Sequence, residues 1–360
     1  MTTGNDPYKK LADRLDNLPN GFPATEDGSD LKVLAALFSP EEADLAAQLR
    51  MKLETATQIA ERLGLEYGPT REKLKSMARK GLISAGKAEG ELGYKLLPFV
   101  VGIYENQLGN FTKEFAQLFE AYYQQAFSRL LKVQPAIHRV VPVNESIKMN
   151  MQVAPFESAA GMIEASQSWG VMDCMCRLEA AYVGKTCHHP VDVCMVFNPA
   201  PDAFTHSQEI TPLTKEGAYA TLKRADEAGL VHCVSNNQRG DYYICNCCTC
   251  ACGILRGMSE LGIANVVASS AFVNTVNEDI CTACGLCVEV CQFNALSVDD
   301  VAHVNRTKCV GCGVCVNSCQ DQALILVRRP EEEIKPVPVS MSDWGRQRAH
   351  ERGIDLSTIL

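Results

Sequence analysis

The cysteines of this chain are numerous and confined to its second half. All eighteen lie between Cys174 and Cys319, and the first 173 of the 360 residues contain none. Short-spaced thiols bind metals, form redox pairs or close disulfides. The opening segment MTTGNDPYKKLADRLDN has no apolar core, so we expect a cytoplasmic protein. Cytoplasmic thiols stay reduced, which favours metal ligands over disulfides.

Two short runs in the C-terminal part share the same cysteine spacing. CTACGLCVEVC and CVGCGVCVNSC both follow the pattern C-x2-C-x2-C-x3-C. A tight loop of such short steps places three thiolates around one face of an iron–sulfur cube, so the fourth thiolate must come from elsewhere. Zinc sites use four ligands in pairs, which does not fit two matched quartets. The spacing therefore predicts two [4Fe–4S] clusters.

Residues 270–328, which contain both runs, resemble the bacterial two-cluster ferredoxin domain. The resemblance implies that the fourth cysteine of each run binds the cluster of the other run. The first ligand set is then Cys281, Cys284, Cys287 and Cys319, and the second is Cys309, Cys312, Cys315 and Cys291. ALSVDD and ALILVRR are predicted to be the short strands of the repeat. Gln292 and Gln320 stand where the family usually has proline, which removes a rigid turn but no ligand.

Ten further cysteines precede this domain. They are Cys174, Cys176, Cys187, Cys194, Cys233, Cys245, Cys247, Cys248, Cys250 and Cys252. We interpret the four from Cys174 to Cys194 as one site. In YICNCCTCAC, an extended chain would place Cys245 and Cys247 on one face, whereas a helix would align Cys245, Cys248 and Cys252. We expect one or two further iron–sulfur clusters here. A bridged or nonstandard cluster and simple buried thiols remain alternatives, and His188 and His189 are expected to be solvated or to pack.

The whole arrangement resembles multi-cluster iron–sulfur proteins of anaerobic bacteria and archaea. The patterns CMCR…GKTCHHPVDVC and ICNCCTCAC carry this resemblance, which extends from about residue 141 to the C-terminus. It implies anaerobic electron transfer and identifies no substrate.

The cysteine-free front half predicts a different fold. SPEEADLAAQL begins with a serine cap, and ETATQIAERLGL and PTREKLKSMARKGLI follow as helices before the hairpin GKAEGELGYKLLPF. This order resembles a winged helix. The third helix carries basic residues able to neutralise phosphates, namely Arg71, Lys73, Lys75, Arg79 and Lys80. Many acids lie in the same segment, so a solvated face or a protein-docking surface is an alternative.

These patterns predict an α+β chain with an N-terminal winged helix, a central α+β cysteine-rich domain and a C-terminal ferredoxin-like domain. The expected divisions are a flexible N-terminus (1–30), the winged helix (31–105), a linking helix (106–140), the cysteine-rich domain (141–269), the ferredoxin domain (270–328), and a linker with a tail helix docking through Trp344 (329–360). The linking helix carries an apolar stripe that favours a core or a homodimer contact.

An electron carrier is the function these features favour. No Rossmann or Walker glycine pattern and no nucleophile–base pair is visible, so we assign no catalytic residue. Redox partner proteins are the expected partners, and no apolar run is long enough to span a membrane. The alternatives are a redox-responsive winged-helix regulator that binds DNA and a subunit of an oxidoreductase with an unusual cluster. The net charge of −9 argues against general nucleic-acid binding.

Overall fold

The computed structural model describes residues 6–143, 146, 153–240, 243–264 and 266–358. Helices and strands are mixed throughout, which confirms the α+β class. The chain divides into two compact units, Met1–Gln134 with Gly345–Leu360 and Pro135–Trp344. Within the described ranges, every helix is too short or too polar to cross a lipid bilayer.

The first unit contains seven α-helices in its N-terminal segment, most of an eighth near the C-terminus and one small sheet among its described residues. The helices are α1 (Pro7–Asp16), α2 (Ser29–Leu37), α3 (Pro40–Ala46), α4 (Ala56–Leu63), α5 (Tyr67–Arg79), α6 (Lys113–Tyr122) and α7 (Ser128–Leu131). The strands β1 (Glu54–Thr55), β2 (Ile83–Ala88) and β3 (Glu91–Leu96) form a sheet in the order β1-β3-β2. Ser39 caps α3 through a capping box with Glu42. The helices and hairpin predicted from the sequence lie at these positions, and the winged helix itself stays a prediction.

Two expectations about this unit are wrong. Residues 7–16 form α1 rather than part of a flexible terminus, because Leu11 and Leu15 lie four residues apart on one face and are buried. The segment expected as a linking helix contributes α6 and α7 to the same unit. Its aromatic stripe packs inside the unit, where Tyr122 stacks on Phe22 with 4.7 Å between ring centroids.

A buried arginine fixes the C-terminal helix of this unit. Arg348, which is fully buried, donates to three backbone oxygens: Nε to Pro19 at 2.9 Å, Nη1 to Val133 at 2.6 Å and Nη2 to Leu130 at 2.7 Å. Replacement of Arg348 by methionine would remove this donor from the oxygens of Pro19 and Val133, whereas the oxygen of Leu130 would keep the backbone N–H of Val133 at 3.3 Å. We expect the free energy of unfolding to fall by roughly 3 kcal/mol.

Urea denaturation of the full chain, followed by far-ultraviolet circular dichroism under anaerobic conditions, measures this loss. Lys132→Met is the control, because Lys132 is exposed on the neighbouring turn. Equal stability of the two variants would contradict the prediction.

The second unit is built on a seven-stranded sheet. Its strands are β4 (His138–Val140), β5 (Ser168–Met172), β6 (Cys194–Asn198), β7 (Thr211–Leu213), β8 (Val231–Ser235), β9 (Tyr243–Cys247) and β10 (Val267–Ala268), in the order β10-β4-β8-β9-β6-β5-β7. The helices of this part are α8 (Ala159–Glu164), α9 (Met175–Tyr182), α10 (Lys215–Glu227) and α11 (Arg256–Ser259). Residues such as Met195, Val234 and Ile244 on one sheet face pack with residues of α8 and α10 to form an apolar core. The expected boundary at 141 therefore shifts, because β4 already belongs to this sheet.

The C-terminal part of the second unit consists of two short two-stranded sheets and two short helices. The pair β11 (Phe272–Val276) and β14 (Leu324–Arg328) is antiparallel, as is β12 (Leu296–Val298) with β13 (Ala302–Val304). The helices are α12 (Leu286–Val290) and α13 (Val314–Asn317), each preceded by a glycine in the left-handed conformation. The predicted strands in ALSVDD and ALILVRR are confirmed as β12 and β14.

The predicted tail helix is also present as α14 (Met341–Arg352). Trp344 is buried and donates through Nε1 to the backbone oxygen of Ala136 at 2.9 Å. Its predicted role in docking the segment is confirmed by this contact.

Candidate metal centres

One set of four cysteines in the C-terminal repeat lines a single pocket. Cys281, Cys284, Cys287 and Cys319 surround it together with the apolar side chains of Ala302 and Leu324. Cys319 belongs to the second run, so the two runs do cross at this pocket. The backbone N–H of Ala302 donates to Sγ of Cys281 at 3.4 Å. Cys284 is the one exposed cysteine of the eighteen, all of which lie in the described ranges.

The other four cysteines of the two runs form a more buried group. Burial raises the pKa of Cys315 well above its usual value, and the nearby thiols of Cys312, Cys291 and Cys309 act in the same direction. Asn274 donates through Nδ2 to Sγ of Cys315 at 3.2 Å. A buried, electronegative environment of this kind is unfavourable for thiolates unless a metal centre compensates their charge.

The donor sets fit [4Fe–4S] clusters. All eight cysteines are free thiols, and backbone or amide N–H groups point at three of the sulfurs. Thiolate ligation with N–H···S donors is the environment that such clusters require. Cys287 and Cys315 belong to one apolar cluster with Leu296 and Leu324, which joins the two sites through the core. We therefore keep the crossed ligand assignment as a proposal that this geometry supports.

Seven of the ten upstream thiols form a second, separate assembly. Six of them form a closed ring of neighbours in which each thiol shifts the pKa of the next, in the order Cys174, Cys176, Cys252, Cys247, Cys245, Cys194 and back to Cys174. Cys233 joins this ring at Cys247. We call these seven residues the buried thiol group.

The sheet face opposite the apolar core positions this group. Cys233 of β8 stands directly across from Cys245 of β9, and β-strand alternation places Cys247 on the same face. Hydrogen bonds from Cys176 and Cys194 hold the pKa of Cys174 well below the usual thiol value. Thiols that share protons in this way are close enough to bind a common metal centre.

Arg177 and His138 lie beside the buried thiol group. Both ring nitrogens of His138 are buried and make no hydrogen bond with any described residue. After the neighbouring thiols, its imidazole contributes to the lowered pKa of Cys245 and Cys252. Burial alone would lower the pKa of Arg177, but nearby thiols, Cys174 first among them, raise it. No motif in the sequence marks either residue, although Arg177 directly follows the ligand candidate Cys176. A guanidinium group at this position stabilises the negative charge of clustered thiolates.

The remaining three upstream thiols form a group of their own. Cys187, Cys248 and Cys250 have their sulfur atoms within 4.8 Å of one another. The expectation of one site from Cys174 to Cys194 is therefore wrong, because the loop after α9 carries Cys187 away from the other three. In YICNCCTCAC the extended alternative is confirmed only as far as β9, where Cys245 and Cys247 share a face. The chain then turns, so that Cys252 returns to the ring while Cys248 and Cys250 do not.

His188 and His189 do not belong to this trio of sulfur atoms. His188 is exposed. Burial lowers the pKa of His189, whose side chain forms a hydrogen bond with the backbone of Ala228. Solvation and packing, the roles expected from the sequence, match these surroundings.

Gln292 connects the ferredoxin-like repeat to the loop between Cys248 and Cys250. Its Oε1 accepts from the backbone N–H of Thr249 at 2.7 Å, and its Nε2 donates to the oxygen of Gly229 at 2.7 Å. Proline, the usual family residue, has no side-chain group able to make either bond. Gln320, at the equivalent position of the other repeat, is exposed.

Replacement of Gln292 by alanine is expected to loosen this connection. Loss of the bond to Thr249 should speed exchange of its amide proton by about fivefold, since one hydrogen bond contributes about 1 kcal/mol. Hydrogen–deuterium exchange of the anaerobic full chain, read by mass spectrometry, measures this change. Gln320→Ala serves as the matched control and should leave the rate unaltered. An unchanged rate in Gln292→Ala would refute the connection.

Three of the five basic residues in and directly after α5 form ion pairs with acids. Arg71 and Lys75 both pair with Glu72, at 2.9 and 3.3 Å, and Lys80 pairs with Glu42 at 2.7 Å. These ion pairs weaken the positive surface that DNA binding requires. DNA binding by this region therefore remains only a prediction from the sequence.

Comparison with known families covers the C-terminal repeat alone. The family model for the 4Fe-4S binding domain matches residues 274–297 and 302–325. No curated protein and no solved structure matches the chain. Each matched segment contains one of the two cysteine runs, the short helix within it and parts of the strands that flank it. The C-terminal part of the chain is thus a ferredoxin-like 4Fe-4S binding domain with two repeats.

Proposed function

We propose that this protein transfers single electrons through several iron–sulfur clusters between redox partner proteins in anaerobic metabolism. A [4Fe–4S] cluster supplies one-electron transfer when it is bound. Cys281, Cys284, Cys287 and Cys319 would hold the first cluster, and Cys309, Cys312, Cys315 and Cys291 the second. The buried thiol group would hold a third centre. Seven thiols exceed the four that one cubane binds, which favours a larger centre with bridging thiolates.

The electrostatic influence of Cys233 on Cys312 supports this proposal. Burial and the thiols of Cys309, Cys291 and Cys233 together raise the pKa of Cys312 to about 12. Cys233 is a member of the buried thiol group, so this group and the second ferredoxin set are neighbours. A backbone hydrogen bond also connects the segment after β4 with this set, since the N–H of Val143 donates to the oxygen of Cys312 at 2.8 Å.

The proposal implies an ordered path for the electron through the three groups of cysteines. The buried thiol group meets the second ferredoxin set at Cys233, and that set meets the first through Cys287 and Cys315. The first set includes the exposed Cys284. A partner that docks at Cys284 would therefore exchange electrons with the outer end of the path, and the buried thiol group would lie at its inner end.

An anaerobic redox titration tests the proposal. Iron and acid-labile sulfide are counted on the purified full chain, and electron paramagnetic resonance follows its stepwise reduction. Two cubanes contain about eight irons. We expect a higher iron count than this and at least three separable reduction steps. A folded chain without iron would contradict the whole proposal. About eight irons would restrict it to the ferredoxin-like domain.

A further inference from the structure

Three thiols outside the ferredoxin-like domain and outside the buried thiol group converge on one point. Sγ of Cys187 lies 3.8 Å from Sγ of Cys248 and 3.4 Å from Sγ of Cys250. A tetrahedral zinc ion has zinc–sulfur bonds of about 2.3 Å, which separate its thiolates by about 3.8 Å. The spacing of this trio therefore matches the ligands of a single ion.

The ferredoxin cysteines provide an internal comparison. Among the residues that the structure describes, the trio is the one group of three or more such ligands whose ligating atoms all lie within 4.8 Å of one another. No three of the eight ferredoxin cysteines are that close. Wider spacing is expected where each thiolate binds a different iron corner of a cubane. The sulfur spacing of the trio thus differs from that of the two ferredoxin ligand sets.

The charge around the trio also suits a bound cation with thiolate ligands. Arg177, which is 3% exposed, donates through Nη2 to Sγ of Cys248 at 3.5 Å. Its Nε and Nη1 have no hydrogen-bond partner among the described residues. Three thiolates with one divalent ion leave a single negative charge, which the guanidinium of Arg177 balances.

The trio is buried on one side and reaches the surface on the other. Cys248 is buried in an apolar cluster with Ala180, Leu230 and Ala251. Cys187 and Cys250 are half-buried. Three protein ligands with an accessible remaining side are the arrangement of zinc sites that keep an open coordination position.

We propose that Cys187, Cys248 and Cys250 bind one divalent metal ion, Zn²⁺ by ligand preference, at a site separate from the iron–sulfur clusters. Thiolate sulfur selects zinc over magnesium, calcium and manganese, and the tetrahedral spacing agrees with this choice. The fourth position is open to water or to a small thiol or imidazole ligand. The site adds a Lewis-acid centre to a chain whose other thiols serve electron transfer.

Metal and sulfide counts on anaerobically purified full-length chains test this proposal. Cys187→Ser and Cys250→Ser are compared with the wild type and with Thr186→Ala, a control at an exposed neighbouring position. We expect about one zinc per wild-type and control chain and at least a tenfold loss of zinc in both cysteine variants. Acid-labile sulfide and the paramagnetic resonance signals of the clusters should not change.

Two outcomes would overturn the site. Loss of about four irons and four sulfides in the variants would make the trio the ligands of a cubane. Zinc content equal to that of the control would make the three thiols structural or redox groups. Sulfide and resonance signals report the clusters independently, so failure of this site does not imply failure of the electron-transfer proposal.

A measurement on the wild-type chain covers the case in which the variants do not fold. Growth with Co²⁺ in place of Zn²⁺ should give the visible absorption bands of tetrahedral cobalt with thiolate ligands, and imidazole should shift them. A chain that contains cobalt without these bands would also overturn the proposal.

Discussion

Replacement of Cys319 by alanine is expected to remove one complete cluster, about four irons and four sulfides, although the other three cysteines of its own run remain intact. The reason is the pocket that Cys319 shares with Cys281, Cys284 and Cys287. A cubane that loses one of four thiolates at a site bordering the surface is readily released. Iron and sulfide analysis, with spin quantitation of the reduced protein, measures the loss. Asn317→Ala is the control, since Asn317 is exposed on the same segment.

Paired variants decide whether the ligands cross between the runs. Cys281 and Cys319 lie in different runs but in one pocket, so their double alanine variant should lose a single cluster. Cys281 and Cys291 lie in the same run but in different ligand sets, and that double variant should lose both clusters. The opposite pair of results would contradict the crossed assignment and support one cluster per run.

Replacement of Cys245 and Cys252 together by alanine is expected to reduce the iron content to that of two ferredoxin cubanes, about eight per chain. The pKa of each of these residues is lowered by two neighbouring thiols of the ring and by His138. Their removal splits the group into a set of three thiols (Cys174, Cys176 and Cys194) and a pair (Cys233 and Cys247), so no four neighbouring thiolates remain to bind a cubane. The ferredoxin signals should persist, because none of the eight ferredoxin cysteines is changed.

The matched control lies on the other face of the same strand. Ile244→Val alters the apolar core between the sheet and the helices α8 and α10. It should lower the free energy of unfolding by about 1 kcal/mol and leave the iron count unchanged. Iron analysis and resonance spectra of both variants make the comparison. Wild-type iron content in the double alanine variant would show that the buried thiol group holds no cluster.

Sequence patterns are sufficient to predict those features of this protein that are formed by residues close together along the chain. The spacing of Cys281, Cys284 and Cys287 predicts three thiolates around one loop, because the ligands lie within one turn of chain. The cap at Ser39 and the hairpin around Gly90 are equally short-range, and the structure contains both. The ferredoxin-like domain was therefore identifiable before any coordinates, and its strands lie where the sequence predicted.

The grouping of the upstream thiols into a set of seven and a set of three depends on tertiary packing. Cys174 and Cys187 are close in sequence, yet Cys187 joins Cys248 and Cys250, because the chain leaves α9 and turns before it enters β6. Pairing of β8 with β9 places Cys233 in the buried thiol group, and no sequence spacing specifies that partner. Strand register and loop direction depend on packing across the whole sheet. The same packing places His138, Arg177 and Gln292 beside the upstream thiols, where no motif marks them.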